Sequence, residues 1–363
     1  MRLLLVGGGH SHLAVLKSFG DAPLAGVRLA LLSPERHVFY SGMIPGLVAG
    51  HYRPEDCRID LGLLAASAGA SFLEDSAVGI DPARRDVTTA RGERLPYDLL
   101  SLDVGSEGAA APGTGPALSV RPIELFLKNW ERLSESAKRS ERGRIAVVGG
   151  GAAGIELLLA MQHALSPAAV KFALFSDSPV LAGHCERARR IIHGILARRG
   201  IDVHAGLKVL AAVEGGLEVE GGERFEAQAT VWATGARAPA WIAACGIGTD
   251  PLGFVDVSDA LQSRTHPEVF AAGDVASLAG NAGPKSGVIA VRQGLALARN
   301  LRLAISGKSP RPFRAPARTL ALISCGGRYA AASWGPLALR GAWIWRWKDR
   351  IDRRFVARYR LGT

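Results

Sequence analysis

Two stretches of this 363-residue chain place glycines at the spacing that brings main chain against phosphate. In the first, Leu3-Leu4-Leu5-Val6 runs into Gly7-Gly8-Gly9-His10-Ser11-His12 and then an apolar helical pattern. In the second, Ile145-Ala146-Val147-Val148 runs into Gly149-Gly150-Gly151-Ala152-Ala153-Gly154 and Ile155-Glu156. The leading glycine of each set permits a tight turn. The next (Gly9, Gly151) lets the backbone approach a pyrophosphate, and the helix that follows offers unpaired N–H groups and a favourable dipole. The chemistry expected is dinucleotide binding, twice, with His10 able to donate to phosphate and Ser11, Ala152 and Ala153 in the first helical turns. Gly154 completes the second set, whereas His12 stands at the third position of the first, which predicts looser or shifted helix–strand packing there. His10 and His12 lie on a phosphate-binding turn and are not read as metal ligands.

These turns require a parallel strand before them and a second strand after the helix. The second strands read Val27-Arg28-Leu29-Ala30-Leu31-Leu32-Ser33 and Lys171-Phe172-Ala173-Leu174-Phe175-Ser176. The acidic residue that would hold a ribose is missing from both, and Ser33 and Ser176 take its place as weaker partners. No arginine adjoins Ser176 to hold a 2′-phosphate, so NADH and NADPH both stay open as co-substrate.

The chain is long enough for two or three domains with their own cores. No apolar run reaches the ~18–20 residues of a membrane span. The first residues begin directly on an apolar strand pattern rather than a secretory leader, so a cytoplasmic protein is expected. Cys57, Cys185, Cys245 and Cys325 are scattered, with no pair at metal-ligand spacing, so neither a metal site nor a disulfide framework is expected. The formal charge is +11, and residues 311–363 hold eleven arginines and one lysine against Asp349 and Asp352, a net +10 confined to one end. No nucleic-acid-binding fold accompanies that charge, and no nucleic-acid partner is expected.

Thr265-His266-Pro267-Glu268-Val269-Phe270-Ala271-Ala272-Gly273-Asp274 resembles the late flavin motif of the pyridine nucleotide–disulfide oxidoreductase superfamily. The resemblance implies that Asp274 bonds the ribityl chain of FAD. Val231-Trp232-Ala233-Thr234-Gly235 looks like the superfamily's strand-to-crossover motif, and Leu102-Asp103-Val104-Gly105-Ser106 is similar to it, with Asp103-Val104 replacing Ala-Thr. The resemblance covers residues 1 to about 310 and implies an α/β fold. Two Rossmann-like, doubly wound dinucleotide-binding domains are expected: a discontinuous FAD domain (1–115 and 251–315), an NAD(P) domain (116–250) and a small C-terminal segment (316–363).

Several segments resemble a narrower branch, the NADH-dehydrogenase-like proteins also found fused ahead of selenide, water dikinase. They are the Gly7–His12 turn, Ser33-Pro34, Tyr40-Ser41-Gly42-Met43-Ile44-Pro45-Gly46, Ala49-Gly50-His51-Tyr52, and Pro284-Lys285-Ser286-Gly287-Val288 through Gly294. What this implies is hydride transfer from NADH or NADPH to FAD and onward to a small-molecule acceptor, with a quinone as the leading candidate. FAD would lie against Gly7, Gly9, His10, Ser11, Ser33, Pro34, Gly42, Met43, Pro45, Gly105, Asp274, Lys285 and Val288. The nicotinamide nucleotide would lie against Gly149, Gly151, Ala152, Ala153, Gly154, Glu156, Ser176 and Gly235.

Two residues are candidates for the chemistry itself. Glu156 reads either as an orienting residue at the nicotinamide–flavin contact or as an acidic residue serving the dipole of a helical first turn. Lys285 reads either as a cation stabilising reduced flavin at a helix N-terminus or as a solvated loop lysine. Met43 and Pro45 are equally compatible with ordinary packing. A rival chemistry on sulfur or selenium species needs two convergent cysteines, for which Cys185 and Cys325 are the candidates, against a reading as buried small hydrophobes. A third alternative is a flavin-binding sensor or partner in selenium metabolism.

Residues 340–360 place Trp343, Trp347, Ile351, Phe355 and Tyr359 every four positions among arginines. Such a helix suits peripheral contact with a membrane interface, or packing over the flavin domain or a second copy of the chain in a homodimer.

Overall fold

The computed structural model describes residues 1–108, 112–139, 143–166, 168, 170–278, 285, 287–315 and 318–361. The strand Arg2–Val6 is central in a five-stranded parallel sheet, with Leu99–Leu102 and then Val269–Ala271 on one side and Arg28–Ser33 and then Ser71–Glu74 on the other. Arg144–Val148 is central in a second, with Ala229–Trp232 and Ala117–Ser119 on one side and Lys171–Ser176 and Asp202–Ala205 on the other. The chain therefore leaves the first sheet, builds the second, and returns to complete the first with residues 269–271. Both are Rossmann-like units.

Strands buried on both faces read as continuous apolar runs, and alternate residues serve different layers. Leu3 and Leu5 pack with Leu13, Val15 and Leu16 of the helix His10–Asp21. Leu4 and Val6 point the other way, toward Ile80 and Val87 of a three-stranded antiparallel sheet. The second unit repeats the scheme, with Ala146 and Val148 facing Val209, Leu217 and Val219. Each fully buried leucine contributes about 1.5–3 kcal/mol.

The helix Gly287–Ile305 lies across the first helix and buries Ala290, Gln293, Gly294, Leu297, Ala298 and Leu301, a helical repeat. Gly294 allows the two helices a close approach, since a β-carbon there would sit 2.9 Å from that of Ala14. Pro284 and Ser286, expected in the turn before it, lie outside the described residues.

The C-terminal unit is a three-stranded antiparallel sheet (Ala321–Ser324, Ala330–Trp334, Leu337–Gly341) followed by the helix Ala342–Tyr359. The aromatic stripe expected along that helix is divided. Trp343, Trp347 and Ile351 are 40–49% exposed, whereas Phe355 and Tyr359 are buried. A step of four residues overshoots a full turn by about 40°, so the stripe winds from solvent into the protein. The buried face is instead Ile344, Trp345, Lys348, Asp352, Phe355, Val356 and Tyr359.

Candidate functional site

The first glycine turn closes on Asp103. Gly7 has φ 96°, and a β-carbon there would collide with the Asp103 carbonyl oxygen; one on Gly9 would collide with the Asp103 carboxyl group. The carboxylate accepts N–H bonds from Ser11 (2.7 Å) and His12 (3.0 Å), two amides of the first turn of the helix. Burial pushes this carboxyl up to about 7, Asp274 adds to the shift, and the two amides oppose it. Asp103 entered the sequence analysis only as a departure from Ala-Thr-Gly, and that departure was the signal.

His12 does not loosen the packing. Its Nδ1 lies 2.7 Å from the Gly7 carbonyl oxygen and its Nε2 2.8 Å from Ser101 Oγ. A carbonyl only accepts, so Nδ1 carries the proton and Nε2 accepts from the serine. Burial pulls the ring down to about 4, which keeps it neutral. The imidazole thus ties the turn to the neighbouring strand, a task that glycine performs by direct contact in the second unit.

There, Gly149 has φ 126°, and a β-carbon on Gly154 would collide with the Gly149 carbonyl oxygen. The position equivalent to Asp103 is Ala233, whose carbonyl oxygen lies beneath Gly149. Gly151 precedes the helix Ala152–Ala164, Ala233 offers its leading amides no acceptor side chain, and among the described residues nothing lies within 4 Å of where a β-carbon on Gly151 or Gly235 would sit. Thr234 Oγ1 is buried without a hydrogen-bond partner among the described residues, which suits a site completed by a ligand. Ser176 is buried under Gly150, and its hydroxyl accepts a 3.4 Å bond from Ser178 N.

Asp274 follows Gly273, whose amide donates to Gln293 Oε1 (2.7 Å). The Asp274 carboxylate accepts from Ser106 Oγ (3.1 Å) and pairs with Arg121 (3.2 Å), while Arg121 also donates to Ser106 (2.7 Å). Space beside Gly105 is open. The Lys285 ammonium donates to the Ala276 carbonyl and lies 3.9 Å from the centre of the Phe254 ring. Burial lowers its pKa, and Asp274 opposes that. It is neither a freely solvated lysine nor directed only at a ligand. Val288 is exposed on the first turn of its helix.

The segment from Tyr40 to Pro45 meets the C-terminal helix. Tyr40 stacks on Phe355 (centroids 4.1 Å apart, planes at 24°), and the His10 ring stands 5.4 Å from Tyr40. His10 Nε2 accepts from Ser41 N at 3.4 Å, and burial pulls that ring down to about 4. Met43 and Pro45 are buried among core residues, and Gly42 offers its carbonyl oxygen to Lys348 at 2.6 Å. Ser33 is buried and donates to the Glu35 carbonyl oxygen, beside an exposed Pro34.

Glu156 is the fifth residue of its helix, past the first turn, so the reading of a first-turn dipole partner does not apply. Its carboxylate accepts from Ser324 N (2.8 Å) in the C-terminal sheet. Burial raises its pKa and Lys348 opposes the rise. Lys348 pairs with Asp352 at 2.6 Å, and Asp352 shares a hydrogen bond with Tyr40. Burial alone would lower the Lys348 pKa; the Asp352 and Glu156 carboxylates outweigh burial and hold it above the ordinary lysine value. Tyr40, Glu156, Lys348 and Asp352 therefore form one polar cluster between the three parts of the chain, with Lys348 and Asp352 buried and Tyr40 and Glu156 half-buried. The sequence analysis found only Glu156 and Tyr40 in it, although Lys348 and Asp352 carry opposite charges at helical spacing.

Cys325 is buried, and burial together with Glu156 pushes its thiol up to about 12. Cys185 sits elsewhere, at the start of the helix Glu186–Arg198. Among the described residues no group of three His, Cys, Asp or Glu could hold a metal ion, and no helix is long and apolar enough to cross a membrane.

The family model described as pyridine nucleotide-disulphide oxidoreductase matches residues 1–294. An NADH dehydrogenase-like protein of Mycobacterium tuberculosis is 29% identical over 238 residues, covering 61% of this chain and 59% of that protein. Ferroptosis suppressor protein 1 of Taeniopygia guttata is 29% identical over 224 residues, 58% of each. The chain thus spans less than two thirds of these relatives' length. The sulfide:quinone oxidoreductase of Aquifex aeolicus has the same fold, with a TM-score of 0.85 at 20% identity over 99% of this chain and 91% of that one.

Proposed function

This chain belongs to the pyridine nucleotide-disulphide oxidoreductase family, and from that premise we propose that it is an FAD-dependent NAD(P)H oxidoreductase that passes electrons to a quinone. The observation that carries the reading is the duplicated glycine turn, one copy of which has Ala233 in place of an acidic residue and, among the described residues, an unpartnered Thr234 hydroxyl. That copy takes the nicotinamide nucleotide, within residues 116–250. The other takes FAD, within 1–115 and 251–315, with Asp274 at the ribityl chain.

Bound there, FAD would supply hydride acceptance from the nicotinamide and electron transfer to the second substrate. The protein's share is binding, orientation and proton supply. The amides of Ala152 and Ala153 receive phosphate, and Gly151 and Gly235 leave room for main-chain approach. Lys348 fixes Gly42 and with it the segment that would line the flavin. Glu156, tied to Ser324, has its pKa raised by burial and lowered by the Lys348 ammonium, and the cluster holds groups that can carry a proton toward an acceptor that is being reduced.

The C-terminal unit supports contact with lipid-dissolved acceptor. Trp334, Leu337, Leu339, Trp343, Trp347 and Ile351 are exposed large hydrophobics, flanked by Arg340, Arg346 and Arg350, as on a surface lying in a membrane interface. The sulfur and selenium readings gain no support from a Cys325 thiol held protonated.

Anaerobic titration with NADH and with NADPH, read from flavin absorbance, tests the proposal. Bleaching by one of them names the donor, and quinone addition should then restore the colour. Bound flavin that neither donor reduces would defeat the reading.

A further inference from the structure

The two nucleotide turns are built on one scaffold, and the chain has changed two linked positions in only one of them. In the second unit Gly154 packs on Gly149, and the residue after the neighbouring strand is Ala233, which has no acceptor side chain to place on the first-turn amides. In the first, His12 and Asp103 replace those two residues. His12 bonds the Gly7 carbonyl, and Asp103 puts a buried carboxylate on the amides of Ser11 and His12. The surroundings are fitted to that carboxyl group: a β-carbon on Gly9 or on Gly273 would collide with it. An acidic side chain thus occupies part of the helix N-terminus where a dinucleotide phosphate should be received.

We propose that Asp103 is a determinant of cofactor binding at the first site, and that FAD binds there with uptake of one proton onto the Asp103 carboxyl group, whereas the nicotinamide nucleotide at the second site binds without such uptake. The inference rests on the reading of the first unit as the FAD site. The physical reason is charge. Phosphates near a buried carboxylate in a low-dielectric turn repel it strongly, and protonation removes that repulsion.

The surroundings of Asp103 favour this outcome on balance. Two amide dipoles and the Ser11 side chain from the helix oppose protonation and burial outweighs them, while the His12 ring is neutral. From the segment after Val269–Ala271 comes Asp274, a further negative group whose own partner is Arg121. Gln293 is neutral and already engaged by Gly273 N. Among the described residues no cation is paired with Asp103 itself. Its carboxyl is already shifted to about 7 before any phosphate arrives, so proton uptake falls in the neutral to alkaline range.

The test is FAD release from the diluted holoprotein, followed by FAD fluorescence from about pH 6 to about pH 9, in the natural chain and in Asp103→Asn. The amide oxygen of asparagine can accept the same two N–H bonds without a charge. The natural chain should lose affinity as pH rises, approaching about tenfold per pH unit, and D103N should be flat and tighter at the alkaline end. Equal pH profiles for the two proteins would overturn the proposal. Proton release from the natural chain needs no variant. FAD leaving at about pH 8 into weakly buffered medium with an indicator should free about one proton per flavin, and none freed would overturn the proposal independently. A protein that binds no FAD at any pH overturns the site assignment, and this inference with it.

Discussion

Lys348 and Gly42 stand 306 positions apart and are joined by a 2.6 Å bond from the ammonium to the carbonyl oxygen. The same ammonium pairs with Asp352, and both side chains are nearly fully buried. Removing one member of a buried pair strands the other, at a cost of about 3–5 kcal/mol. Lys348→Met should therefore destabilise the protein by that amount in denaturant unfolding, with Asp352→Ala comparable. The double change Lys348→Met with Asp352→Leu should recover only part of the loss, because Asp352 is no longer stranded but Glu156 still loses the ammonium beside it.

His12 sets an acid limit on the first unit. Its folded-state pKa of about 4 lies below the ordinary 6.5, so below that ordinary value the unfolded chain binds a proton that the folded ring refuses. Stability from this ring is complete above pH 6.5 and drains away as pH falls toward 4. His12→Gln should flatten that part of the stability–pH curve and, by losing fitted hydrogen bonds to Gly7 and Ser101, cost about 1–3 kcal/mol at neutral pH.

Gly151 and Gly154 separate binding from folding. A β-carbon on Gly151 meets nothing within 4 Å, at an ordinary φ of −75°. Gly151→Ala should leave stability within about 1 kcal/mol but weaken NAD(P)H binding by crowding the phosphate approach. Gly154→Ala collides with main chain and should cost about 1–3 kcal/mol. Unfolding midpoints together with nucleotide titration distinguish the two effects.

The divided stripe of the C-terminal helix makes a paired test. Trp343→Ser with Trp347→Ser, both exposed, should leave the unfolding midpoint nearly unchanged and abolish co-sedimentation with anionic liposomes. Phe355→Ala removes a buried ring stacked on Tyr40 and should cost about 3–5 kcal/mol through folding alone. Retained liposome binding by the double serine variant would refute the proposed membrane face.

Residues close in the chain carried most of the fold. Each strand–turn–helix unit is encoded within about a dozen neighbouring residues, because the turn is a property of local backbone and the helix N-terminus a property of local hydrogen bonding. Both units, their parallel strands and the turn positions of Gly7 and Gly149 were legible for that reason, whereas Asp274 was marked only by the resemblance of its motif. What joins distant segments was not. Asp103 meets Ser11 across 92 positions, Glu156 meets Ser324 across 168, and Lys348 meets Gly42 across 306. Nothing in local spacing marks such partners, since burial and charge pairing depend on which layers the folded chain stacks together. The sequence by itself determined that two glycine-rich strand–turn–helix units exist. Only the tertiary structure decided that one has a carboxylate on its helix amides while the other has an alanine there, because that difference lies beside a neighbouring strand brought alongside by the sheet.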